Sequence, residues 1–170
     1  MSDNQPAPRP VEASRVEMTQ MVLPGDTNAH GTAFGGQVMA WIDICAAISA
    51  QRHCHLPVVT AAVDELNFVE PIKQGMVVVL RSQVNMAWKS SMEIGVRVES
   101  ENPRTGERRH ALTAYLTFVA LGPDDRPLHV PPVTAPTPED RRRQQDAIHR
   151  REMRLQQRAA RAARRAATAT

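Results

Sequence analysis

Asp43 is the only acid between Asp26 and Arg52, and no lysine or arginine stands in that interval. The positions at helical spacing around it, Met39, Ala46, Ala47 and Ala50, are apolar or small. Buried on an apolar helix, such a carboxylate has a raised pKa and is a poised base or nucleophile. On another side of the same helix it simply meets solvent at a sheet edge. Upstream, Gly35 and Gly36 can present unhindered backbone N–H groups at a helix N-terminus. Orphan donors and the helix dipole favour a developing negative charge there, which is how an oxyanion hole is built; a turn that needs glycine looks the same in sequence. Asn28 lies seven residues before Gly35 and can hold a water or a carbonyl through its amide, or close an Asx-turn or cap the helix entry. His30, inside the loop, is a candidate general base or a rim residue. An amide, a glycine loop and an isolated carboxylate on the next helix form a stronger set than any member alone.

No rival set competes with it. The chain has no G-x-S-x-G elbow, no phosphate-binding P-loop and no dinucleotide fingerprint. Cys45 and Cys54 are nine residues apart on one helix or its end, so about 13 Å separates them at the helical rise, too far for a disulfide. His53 and His55 flank Cys54 without a zinc-ligand spacing, and no metal is expected.

The elements that must position these residues follow from patterning. Residues 15–23 alternate enough for a first strand, broken by Pro24, Gly25 and Asp26. A helix is expected from about Gly35 to His53. Residues 58–69, rich in Val, Thr and Phe, read as a second strand ended by Glu70 and Pro71, with Asp64 and Glu65 on it as structural residues. Residues 76–88 form a third, with Val78, Leu80, Val84, Met86 and Trp88 on one side. A short connection at Lys89 and Ser90 leads to residues 91–100, where Met92, Ile94, Val96 and Val98 alternate with Glu93, Gly95, Arg97 and Glu99. A hairpin loop at residues 102–106 leads to a fifth strand over 108–121, with Leu112, Ala114, Leu116 and Phe118 facing one way. Short turns make the last three strands an antiparallel meander. The expected architecture is α+β, a five-stranded antiparallel sheet wrapped around one long apolar helix.

Composition fixes what surrounds that core. Residues 1–14, polar and proline-rich, are expected to be disordered. The folded domain spans residues 15–122, a proline-rich linker residues 123–138, and a helix with a basic tail residues 139–170. The net charge of +3 is uneven: residues 141–170 carry ten arginines against Asp146 and Glu152. The basicity belongs to the tail, which could touch nucleic acid or a membrane surface or be solvated, and no nucleic-acid-binding core is expected. No apolar run reaches the length of a membrane span and no signal-peptide pattern opens the chain, so a cytoplasmic location is expected.

The run N-A-H-G-T-A-F-G-G-Q-V-M-A-W-I-D, followed by V-V-T-A-A-V-D-E-L-N-F-V-E-P-I and K-S-S-M-E-I, resembles the acyl-CoA thioester hydrolases of the hotdog fold. The resemblance covers about Arg15 to Leu121, and the family's fold is the same wrapped helix. It implies hydrolysis of a fatty acyl-CoA to free acid and CoA, with CoA as part of the substrate and no separate cofactor. The family's catalytic asparagine falls on Asn28 and its aspartate on Asp43. In related enzymes the two come from different hotdog units, so the resemblance implies a homodimer with the site at its interface, of a kind that often assembles further into a trimer of dimers. His30 and Phe34 in the loop, and Lys89, Ser90 and Ser91, are candidates for holding substrate, the last three at the CoA arm or merely in a hairpin turn. Two rivals are a hotdog hydratase or dehydratase, which usually pairs the helix acid with a histidine, and a non-catalytic acyl-CoA sensor. The Arg/Ala-rich end from about Arg158 departs from the family.

Overall fold

The computed structural model describes residues 6–64 and 66–168. Residues 1–5 of the expected disordered terminus, Glu65, and residues 169–170 of the tail lie outside the described residues. The chain divides into two units, Met1–Thr134 and Ala135–Thr170, each described here by itself.

The first unit begins with a two-residue strand β1 (Arg9–Pro10) and a 3-10 turn (Val11–Ser14). There follow β2 (Val16–Met21), α1 (Gly35–Cys54), β3 (Val58–Val63), β4 (Val77–Ala87), β5 (Ser91–Glu101), β6 (Arg108–Ala120) and β7 (Val133–Thr134). Five of the strands form one antiparallel sheet in the order β2-β4-β5-β6-β3. The chain crosses from β2 through α1 to β3 at the far edge, then fills the middle with the expected meander. The buried stripe of α1 recurs at helical spacing, Val38, Trp41 and Ile42, Cys45 and Ala46, Ser49 and Ala50, His53. It packs with one face of the sheet: Val78, Leu80 and Val84 of β4, Met92, Ile94, Val96 and Val98 of β5, and Leu112, Ala114, Leu116 and Phe118 of β6. Polar groups inside this core pair locally. Ser82 Oγ donates to the Cys45 carbonyl at 3.0 Å, and the Cys45 thiol reaches Ser82 Oγ at 3.2 Å. Both cysteines are free.

Four expectations need correcting. Residues 9–14 are ordered: β1 pairs in parallel with β7, and Ser14 Oγ accepts the Val84 N–H at 3.0 Å while Val11 is buried. Arg9 explains the tether, since its guanidinium donates to the carbonyls of Arg52 and His53 at 3.3 and 3.0 Å, the last turn of α1. The second strand ends at Val63, because the chain leaves β6 after Asp64 N–H donates to Tyr115 and touches it again only at Val69, bonded to Ala111. On β4 a register shift between Val84 and Met86 turns Ala87, not Met86, toward the helix. The proline-rich linker holds β7 and ends in a helix one residue earlier than expected, at Pro138.

The second unit is α2 (Pro138–Thr168) and its entry. Pro138 suits the first helical position. Thr137 caps it: its Oγ1 accepts the Asp140 N–H at 3.1 Å and donates to Asp140 Oδ2 at 2.6 Å. Glu139 accepts from Arg142 and Arg143, which hold its carboxyl at about 2.

Candidate active site

Asp43 lies eight residues into α1, on the flank beside β3. It is half-buried within the chain, between the buried and solvent-facing readings. Its Oδ1 accepts a hydrogen bond of 2.7 Å from Thr60 Oγ1 on β3, and among the described residues no ion pair holds it. Thr60 went unrecognised as a site residue in the sequence. Its only signal there is a lone hydroxyl in an otherwise apolar run, Val58, Val59, Ala61, Ala62, Val63.

At the head of the same helix, Phe34 occupies the cap position without a side-chain hydrogen bond. Its carbonyl accepts the N–H groups of Gln37 and Val38 at 2.9 and 3.1 Å. The Gly35 and Gly36 N–H groups have no acceptor among the described residues, as expected of the first turn. The Phe34 ring lies over Gly36: a Cβ there would stand 2.5 Å from the ring and would displace it. The Phe68 ring covers Gly35, 3.9 Å from where its Cβ would be. Beside them opens an apolar cavity of about 310 Å³, whose walls include Val38, Phe68, Val69 and Ile72.

Asn28 sits in the loop before the helix, exposed. Its Oδ1 accepts the His30 N–H at 2.9 Å and the Thr32 N–H at 3.3 Å, and its Nδ2 donates to Thr32 Oγ1 at 2.9 Å. This is the Asx-turn geometry, closed by Gly31 at φ 70°. The side chain therefore shapes the loop, and among the described residues no hydrogen bond joins Asn28 to Asp43. From Gly35 to Asp43 the helix alone rises about 12 Å. His30 is exposed on the loop and Phe34 is 58% exposed at the helix head. Lys89 and Ser90 lie in the β4–β5 connection and Ser91 opens β5, with backbone carbonyls of all three accepting from Val130, Ala120 and Trp88 at 3.0, 3.0 and 2.8 Å. The described residues include no cluster of histidine, cysteine or carboxylate able to hold a metal.

The wrapped helix with a carboxylate on its flank and bare N–H groups at its head matches known proteins. The family model for the thioesterase superfamily matches residues 30–107. A Bacillus subtilis (strain 168) protein named as an uncharacterized acyl-CoA thioester hydrolase, YkhA, is 46% identical over 135 residues, 79% of this chain and 78% of its own length. The chain belongs to the hotdog-fold acyl-CoA thioester hydrolase family. A solved hexameric acyl-CoA thioesterase in its apo form is similar to this hydrolase at 40% identity and a TM-score of 0.87, over 90% of this chain and 98% of that one. An acyl-CoA hydrolase from Staphylococcus aureus, solved with butyryl coenzyme A and coenzyme A, is 34% identical with a TM-score of 0.87, over 95% of this chain and 99% of its own. Its variants Asn28Ala, Asp43Ala and Thr60Ala have also been solved, at 35%, 35% and 36% identity, TM-scores of 0.86, 0.85 and 0.83, over 91%, 91% and 89% of this chain and 92%, 95% and 94% of theirs. This hydrolase carries asparagine, aspartate and threonine at the same three numbers. Other relatives are longer: the match to mouse acyl-coenzyme A thioesterase 11 is 40% identical over 86% of this chain but 25% of that protein.

Proposed function

We propose that this hydrolase cleaves acyl-CoA thioesters to a carboxylic acid and CoA at a site shared between two copies of the chain. The observation that carries the reading is the Asp43–Thr60 hydrogen bond on an edge strand, together with unclaimed N–H groups at the head of the same helix. The thioester carbonyl accepts from the Gly35 and Gly36 N–H groups of one copy, which are fixed in place before charge develops on the oxygen. The acyl chain enters the apolar cavity beside Gly35. Asp43 of the other copy takes a proton from water; the resulting hydroxide adds to the carbonyl carbon, the C–S bond breaks as the oxyanion collapses, and the proton passes to the departing thiolate. In the alternative order Asp43 attacks first and water hydrolyses the mixed anhydride. Thr60 donates to one carboxylate oxygen and leaves the other toward the reactant. The Asn28 loop orients water or substrate, with His30, Phe34, Lys89, Ser90 and Ser91 bordering the CoA arm. CoA comes and goes with the substrate, and this chemistry calls for no separate cofactor.

The surface supports the shared site. β3 is a sheet edge, so one side of its backbone has no strand partner within the chain. Val59 and Val63 on it, Phe34 at the head of α1, and Met39 and Ile44 on α1 are large apolar side chains left exposed. A two-fold axis at β3 would pair it antiparallel with its copy and bring the helix head of one chain toward the Asp43 flank of the other. The hexameric relative agrees with dimers that assemble further. A cytoplasmic location rests on relatives such as the human cytosolic acyl coenzyme A thioester hydrolase, 34% identical over 81% of this chain and 37% of its own length; among the described residues no helix is long and apolar enough to cross a membrane.

The test follows free thiol on a panel of acyl-CoAs. Wild type should release thiol and Asp43→Asn should not, while still binding CoA. Near-normal turnover by Asp43→Asn would refute the assignment, and enoyl absorbance changes without thiol would replace hydrolysis by hydration.

A further inference from the structure

The second half of α2 carries charge that thioester hydrolysis does not use. From Arg154 to its end the helix holds Arg154, Arg158, Arg161, Arg164 and Arg165, and no acid. Steps of four, three and four residues set Arg154, Arg158, Arg161 and Arg165 on one face. At the helical rise that row is about 16 Å long. Arg158, Arg161 and Arg165 are exposed. The far side is Gln156 followed by Ala159, Ala160, Ala163, Ala166 and Ala167.

We propose that this row docks on the phosphate backbone of a duplex nucleic acid, without reading its sequence. Three features choose that occupant. First, the charge is complementary and wholly guanidinium: the ten basic residues after position 140 include no lysine. Arginine forks pair bidentately with phosphate, where lysine offers only a point charge. Second, the cations are held in a row on a regular helix, which suits a polyanion whose charges also stand in a fixed row and which releases counterions on contact. Third, beyond Gln156 the far side is single methyl groups, which keep the helix slender; at about 10–12 Å across it fits a major groove of about 12 Å. Leu155, half-exposed, is the one large apolar side chain from Arg154 onward, whereas interfacial helices turn a row of Trp, Phe or Leu toward the bilayer.

The experiment uses the full chain and fluorescence anisotropy with a labelled 20-base-pair DNA duplex, an RNA duplex of the same sequence, and phosphatidylserine vesicles for comparison. On DNA, log K should fall with log salt with a slope of at least ~3.6, four phosphates at ~0.9 each. The variant Arg158→Gln/Arg161→Gln/Arg165→Gln keeps helix propensity and removes three of those contacts. It should bind at least tenfold more weakly at low salt and cut the slope by about 2.7, with helical circular dichroism and thiol release unchanged. The DNA and RNA arms identify the source of the phosphate, and binding of either supports the proposal. It is overturned by no duplex binding at low salt, by equal binding of the triple variant, or by vesicles binding more tightly than both duplexes. Thiol release is read separately, so this failure is distinct from failure of the hydrolase assignment.

Discussion

At the scale of single residues, the account turns on one hydroxyl. Thr60 fixes the Asp43 carboxylate from a neighbouring strand at 2.7 Å. A hydrogen bond to a charged group contributes about 1.5–3 kcal/mol, so Thr60→Val should lower kcat about ten- to hundredfold with a small change in KM, provided the bond matters in the transition state. Thr60→Ser keeps the hydroxyl and should recover most of the loss in the same steady-state assay. Gly36→Ala tests the helix head: its methyl would collide with the Phe34 ring 2.5 Å away and push it off the first turn. The backbone N–H survives the substitution, so with the displaced ring bordering substrate KM should rise a few-fold with kcat little changed in the thiol-release assay, while thermal unfolding moves little. Asp43 and the glycine pair were legible in sequence because an acid alone in an apolar run and adjacent glycines before a helix are rare local patterns. Thr60 was not, because a threonine on a strand is ordinary until the helix is placed against it. The Asn28 loop was legible as two alternatives, and the hydrogen bonds show the Asx-turn.

At the scale of elements, the last turn of α1 is pinned from two sides. Arg9 binds its carbonyls, and the ring of His53, fully buried, hydrogen-bonds the Pro131 carbonyl at 2.8 Å just before β7. His53 Nδ1 has no hydrogen-bond partner among the described residues. Burial pushes the His53 pKa down, the Pro131 carbonyl pushes it back, and the nearby Arg9 and His55 charges lower it further; the net shift is downward. A lowered histidine resists protonation when folded, so the unfolded chain binds the proton first as pH falls below about 6.5. Stability from this site is present above that pH and is lost as pH falls through it toward the folded value. Urea midpoints should therefore drop between pH 7.5 and 5.5 in wild type, and drop less in His53→Asn, whose amide does not titrate. These terminal tethers were invisible in sequence: a proline-rich terminus gives no periodicity, and its partners lie from 43 to more than a hundred residues away. The shift between Val84 and Met86 was equally silent, since a bulge inserts one residue without changing composition. The helix and meander were readable because the buried alternation of Met92, Ile94, Val96 and Val98 persists long enough to fix register.

At the scale of the whole molecule, the proposed site draws Asn28 and Asp43 from two copies of the chain. The edge strand β3, with Val59 and Val63 exposed, is the joint that this proposal uses. Val63→Lys places a charge in that joint and should shift sedimentation toward monomer, with activity falling in step; an unchanged oligomer would place the joint elsewhere. The most direct test of the shared site mixes two crippled chains. Asn28→Ala and Asp43→Asn chains are each expected to be nearly inactive alone. In a dimer of one of each, two-fold symmetry gives one site with both defects and one site with Asn28 and Asp43 intact. Half of randomly paired dimers are such hybrids, so unfolding the two together and refolding them should restore about one quarter of wild-type thiol release. Activity no greater than the sum of the two parents, in a mixture shown by mass to contain hybrids, would contradict the shared site.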